Sequence, residues 1–146
     1  MRRKEQKKMK RIIPFSPPDI DEKDISGVVE VLKSGWITTG PKTKEFEKQL
    51  SRYCQTQSAV ALNSATAGLF LILKMFGITK GDEVITTPYT FVATSNVILN
   101  CSATPVFVDI NNEDFNINYD KLEKSITEKT KAIISVDYGG WPVDYD

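Results

Sequence analysis

The run Asn63-Ser64-Ala65-Thr66-Ala67-Gly68-Leu69 joins a short apolar segment, Ala59-Val60-Ala61-Leu62, to a longer one that continues through Phe70, Leu71 and Ile72. Read as a strand delivered onto the start of a helix, this junction has the residue types of an anion cradle. Backbone N–H groups at a helix start lack intrahelical partners, and the positive end of the helix dipole lies there. Small side chains leave those amides uncovered, and Ser64 or Thr66 can add a hydroxyl hydrogen bond to a phosphate. The same residues serve equally well as an ordinary cap, with Asn63 or Ser64 closing the first turn. Two familiar phosphate loops are absent, since neither GxxxxGK[ST] nor GxGxxG occurs.

Other chemistry is excluded by residue type. The chain has no histidine, which removes His-dependent hydrolase triads and His-based zinc hydrolysis for these 146 residues. Cys54 and Cys101 form no CxxC, and no metal site is expected. They read as two buried, reduced thiols of a cytoplasmic protein.

The elements that must position the junction follow from hydrophobic periodicity. Residues 20–35 form an amphipathic helix with Ile25, Val28, Val29 and Leu32 on one face, Asp21 as cap and Gly35 as stop. Gly40-Pro41 opens a second helix striped by Phe46, Leu50 and Tyr53. From residue 57 onward strands and helices alternate. Strands are expected at 58–62, 83–87, 105–110 and 131–136, with helices at 64–76, 91–100 and 119–126. Short apolar strands separated by helices call for an α/β fold with parallel pairing.

Several segments resemble, in order, one family. Trp36-Ile37-Thr38-Thr39-Gly40-Pro41, Phe46-Glu47, Asn63 to Leu69, Gly81-Asp82-Glu83-Val84-Ile85-Thr86, Thr90-Phe91-Val92-Ala93-Thr94, Pro105-Val106-Phe107-Val108-Asp109-Ile110 and Lys129-Thr130-Lys131-Ala132-Ile133-Ile134-Ser135-Val136 are similar to the PLP-dependent sugar aminotransferases of the DegT/DnrJ/EryC1/StrS type. The resemblance covers about residues 12–146. It implies part of a three-layer, mostly parallel fold-type-I large domain, with pyridoxal 5'-phosphate (PLP) as cofactor. The implied reaction moves an amino group from glutamate to a keto sugar linked to a nucleotide, in a homodimer of complete chains.

Carried over residue by residue, the resemblance makes the junction the PLP phosphate cradle, with Ala65 and Thr66 as contacts. Phe91 becomes the ring against the pyridine face. Trp36 to Gly40 matches the family's loop near the sugar-nucleotide site. Asp137 departs from the histidine that relatives often carry at that strand end. The acid that pairs with the pyridine nitrogen and the Schiff-base lysine come from later family segments, beyond Asp146. No catalytic residue is therefore expected here, and the 146 residues alone are expected to be inactive, as a truncated fragment would be. The resemblance also leaves strand 58–62 without its sheet neighbour and the other three strands with an open edge. A non-catalytic remnant that pairs with a relative, or another phosphate-binding α/β module, are the alternative readings.

Charge and composition bound the rest. The chain is 40% hydrophobic and 26% charged, a globular profile of one-domain length. Its formal net charge is zero, yet residues 1–11 hold seven basic groups and one acid, leaving 12 basic against 18 acidic residues, or −6, in the body. That leader reads as a flexible extension. The acidic body is a poor match for nucleic acid, and the most apolar segment, 69–78, is broken by Lys74 and too short for a membrane helix. Ile12-Ile13-Pro14-Phe15-Ser16-Pro17-Pro18 interrupts any secretory apolar stretch, so a cytoplasmic location is expected.

Overall fold

A computed structural model describes residues 13–145; the basic leader expected at 1–11 lies outside the described residues. The chain divides after Ala61 into two compact units, and each is built from its own local rules.

The first unit carries two helices. Helix α1 (Glu22–Ser34) begins where Asp21 accepts the backbone N–H groups of Lys23 and Asp24 at 2.7 and 3.0 Å. Asp24 returns the favour by accepting the Asp21 N–H at 3.0 Å, completing a capping box. Gly35 ends the helix at φ 72°, the left-handed geometry that glycine adopts without steric cost. Pro41 opens α2 (Pro41–Tyr53) at its first turn, where a missing N–H loses nothing. Ile25, Val28 and Leu32 of α1 and Phe46 of α2 are exposed. Cys54, the residue after α2, is also exposed, whereas Cys101 is buried. Burial of both thiols was the expectation; Cys54 departs from it because it follows the final turn of a helix that has no buried residue.

The strand expected at 58–62 does not form. A lone extended segment has no ladder to join, and among the described residues no strand lies beside it. Its Ala61 N–H instead donates to the Glu47 carboxylate of α2 at 2.9 Å. A side chain thus satisfies a backbone group that a sheet neighbour would otherwise take.

The second unit holds a three-stranded parallel sheet in the order β2-β1-β3, formed by β1 (Glu83–Thr86), β2 (Thr104–Phe107) and β3 (Thr130–Ile134). Helices α3 (Ala65–Met75), α4 (Ala93–Asn100) and α5 (Tyr119–Ser125) connect and cover it. Successive strand side chains point to opposite faces, and the core follows that alternation. Val84 packs with Leu73, Val97, Ile98 and Cys101 under α3 and α4. Its neighbour Ile85 packs with Val108, Ile117 and Leu122 on the α5 side. The unit is therefore layered helix, sheet, helix, as the α/β and three-layer expectation requires. Pro105 falls on β2, an edge strand, where its missing N–H breaks no inner ladder. Across the other pair, the buried Thr86 hydroxyl donates to the Ile134 carbonyl at 2.9 Å.

Candidate active site

Ser64 caps the start of α3, the junction at which the resemblance sets the phosphate contacts. Ser64 sits in extended backbone, and its Oγ accepts the Ala67 N–H at 3.1 Å, while the Gly68 N–H reaches the Ser64 carbonyl at 3.2 Å. The capping alternative is thus realised, by Ser64. Capping does not consume the site, because the amides of Ala65 and Thr66 and the Thr66 hydroxyl donate to no acceptor among the described residues. Both residues are exposed. Two open N–H groups and a hydroxyl, in the first turn of an eleven-residue helix, fit the donor demand of a phosphate monoester.

Phe91 occupies the next strand-to-helix junction. The sequence places it in a helix, but α4 starts two residues later and Phe91, 77% exposed, belongs to the connecting loop. It is not a core residue. The loop is fastened on both sides of Phe91: the Thr87 hydroxyl accepts the Tyr89 N–H at 3.1 Å, Thr90 and Thr94 share a hydroxyl bond at 2.8 Å, and the Thr94 N–H donates to the Phe91 carbonyl at 3.1 Å. Ala65 and Thr66 share one helical turn. Phe91 comes from a separate junction whose helix packs with α3 through the common core.

All three strands run parallel, so their C-terminal ends lie on one side of the sheet, where α/β proteins place ligands. Three rings meet at these ends: Tyr89 after β1, Phe115 in the loop after β2, and Tyr138 after β3. The Tyr89 and Tyr138 centroids are 4.5 Å apart, and their hydroxyls are hydrogen-bonded at 2.9 Å. That bond, with smaller help from burial and from the neighbouring Tyr138 charge, holds the Tyr89 hydroxyl protonated to higher pH than an ordinary tyrosine. Asp137 serves the backbone here: its Oδ1 accepts the Val143 N–H at 3.1 Å and its carbonyl accepts the Gly140 N–H. In the first unit, the Trp36 indole donates to the Thr39 carbonyl at 3.0 Å and covers buried Gly40. Trp36, Ile37 and Lys42 line a groove of about 400 Å³.

Residues 18–146 match the sequence profile of the DegT/DnrJ/EryC1/StrS aminotransferase family. The chain belongs to that family. Among relatives, the UDP-4-amino-4-deoxy-L-arabinose–oxoglutarate aminotransferase of Shewanella sediminis is 49% identical over 134 residues, which are 92% of this chain and 34% of that protein. The PLP form of Spr1654 from Streptococcus pneumoniae, designated a sugar aminotransferase, superposes with a TM-score of 0.87 at 56% identity and covers 91% of this chain and 34% of its own. PseC of Helicobacter pylori, an aminotransferase of pseudaminic acid biosynthesis, gives 0.84 at 42%, covering 90% and 36%. The chain spans about a third of the length of the relatives it matches.

The DegT/DnrJ/EryC1/StrS resemblance read from the ordered motifs is thereby established, together with the fold-type-I architecture and PLP as the cofactor of the family. The family motifs did not disclose the ring cluster. Tyr89 and Tyr138 are 49 residues apart, and neither lies in a pattern that reveals a partner. The nearest sequence signal is position: each follows the end of an apolar strand. Among the described residues no group of three metal-ligating side chains occurs, and no helix is long and apolar enough to cross a membrane.

Proposed function

We propose that this chain supplies the phosphate-holding and ring-orienting part of a PLP-dependent sugar aminotransferase, which moves an amino group from glutamate to a keto sugar carried on a nucleotide. The carrying observation is the first turn of α3, where Ser64 makes the cap and leaves the Ala65 and Thr66 amides and the Thr66 hydroxyl open. In this reading those three donors bind the cofactor phosphate, and the exposed ring of Phe91 lies against the pyridine and fixes its plane. Bound PLP supplies an electron sink for the carbon that exchanges the amino group. The exposed Trp36 indole and the adjoining groove favour a role for residues 36–42 in holding the sugar nucleotide. A homodimer and a cytoplasmic setting complete the proposal.

The test pairs binding with turnover in the full-length protein. PLP is titrated by its absorbance, and 2-oxoglutarate is measured after adding glutamate and UDP- or dTDP-linked 4-keto sugars. Saturable PLP binding that weakens in Thr66→Val and Phe91→Leu, together with sugar-dependent 2-oxoglutarate, is expected. Wild-type PLP affinity in both variants would reject the two assignments.

A further inference from the structure

We propose that Tyr89 and Tyr138, seated on Phe115, form a clamp whose task is to position Phe91, making Tyr89 a positioning residue for the cofactor ring. The inference rests on the reading of Phe91 given above. It starts from a physical mismatch: a ring that is to set the plane of a flat ligand needs a fixed direction, yet Phe91 is 77% exposed. Its direction is consequently set by the backbone of the loop that joins β1 to α4.

One end of that loop is secured by the end of β1, where Thr86 and the residue after it, Thr87, are buried. The other is secured at the start of α4, through the Thr90–Thr94 hydroxyl bond and the Thr94 N–H on the Phe91 carbonyl. Between them, the long side chain attached to the loop is that of Tyr89, and it is held from three directions. Its ring lies 4.5 Å from Tyr138 and 5.7 Å from Phe115, its hydroxyl bonds the Tyr138 hydroxyl at 2.9 Å, and its N–H is taken by Thr87. Tyr138 and Phe115 also touch one another, at 5.6 Å and nearly edge-on. Such aromatic contacts add specific geometry to apolar burial.

The partners are themselves anchored. Tyr138 opens a short turn closed by the Gly140 and Trp141 N–H groups on the Asp137 and Tyr138 carbonyls. Phe115 is held at φ 61°, a left-handed conformation unfavourable for a residue with a Cβ. Its N–H bonds the Asn111 carbonyl, and the adjacent Asn116 N–H bonds Asp114. A backbone strained to present one ring to two others is what a positioning platform requires. A residue filling space needs no such hydroxyl pair at the mouth of the sheet.

The experiment uses the full-length protein and has two readouts. In the first, amide hydrogen exchange is followed without cofactor in Tyr89→Leu and in the milder Tyr89→Phe. Loss of the clamp should speed exchange of the Thr94 amide by about tenfold in Tyr89→Leu and by about two- to threefold in Tyr89→Phe, because local opening is measured site by site. The amides of Val97 and Ile98, inside α4, should keep their wild-type rates. Unchanged Thr94 exchange in both variants, or equal acceleration throughout α4, overturns the clamp.

In the second readout, PLP affinity is measured in a double-mutant cycle. Tyr89→Leu should weaken binding by about five- to tenfold with Phe91 present and by less than about twofold with Phe91→Leu, since a residue acting through Phe91 has nothing left to position. Fully additive losses would overturn the positioning role while leaving the Phe91 assignment intact. Wild-type affinity of Phe91→Leu alone would overturn that assignment and the positioning role with it.

Discussion

Replacing Thr66 by valine separates the two roles that the first turn of α3 combines. Valine keeps the β-branched shape and deletes the hydroxyl, and the helix keeps its cap because Ser64, not Thr66, accepts the Ala67 N–H. A hydrogen bond to a charged group is worth about 1.5–3 kcal/mol. Thr66 is exposed, so water competes and the lower value applies; about 1.4 kcal/mol corresponds to a tenfold weaker PLP complex. The two amides remain, and affinity should fall without vanishing. Ser64→Ala is the counterpart: loss of an N-cap costs about 1 kcal/mol, which in a domain of 150–250 residues lowers Tm by about 2–4 °C. Absorbance titration of PLP and thermal melts on the full-length variants resolve the pair. The expected pattern is a tenfold affinity loss with an unmoved Tm for Thr66→Val, and a lowered Tm for Ser64→Ala. A valine variant that binds PLP as tightly as wild type would refute the assignment of the hydroxyl to the phosphate.

Three further outcomes are expected. Phe91→Leu should weaken PLP binding while leaving the melting temperature within about 1 °C, because a ring this exposed buries little apolar area; a collapse in Tm would return Phe91 to a structural role. The 146 residues by themselves should release no 2-oxoglutarate from glutamate in the presence of PLP and keto-sugar nucleotides, whereas turnover abolished by changing one of their lysines would defeat that expectation. The third concerns pH. The Lys121 amine, 2.8 Å from Oδ2 of Asp109, and next the Ile110 N–H, hold that carboxyl below its ordinary value of 3.8. A lowered folded value means that the pair contributes above pH 3.8 and that its contribution is lost as pH falls through the lowered value. Lys121→Met should therefore move the Asp109 titration upward when followed by carboxyl NMR, and an unmoved midpoint would assign the effect elsewhere.

The elements legible in the sequence are those with local causes. Asp21 and Gly35 bound α1 because capping and a left-handed stop are properties of a few consecutive residues. The parallel strands appeared as short apolar runs for the same reason. Residues 58–62 look equally strand-like, but strand formation depends on a neighbour that no local pattern reveals, and Glu47 takes the Ala61 N–H instead. The family segment marks Phe91 as functional, although periodicity puts it inside the helix; the chain bends over residues 88–90 and enters α4 only at Ala93. The Tyr89–Phe115–Tyr138 group was invisible because it exists only after three parallel strands bring their ends together.

The strand order has a consequence in time. β1 is the middle strand, yet it is made first, and its partner β3 follows after another long stretch of chain: the bond from Thr86 to Ile134 joins residues 48 apart. At a synthesis rate of about 5–20 residues per second, that gap occupies roughly 2–10 s on the ribosome. Throughout it, one side of the most buried strand has no ladder and the Thr86 hydroxyl has no carbonyl. A nascent-chain binder that recognises extended apolar segments therefore has a window of seconds at residues 83–86. Rare codons between residues 110 and 130 would lengthen that window without altering a single amino acid of the finished protein.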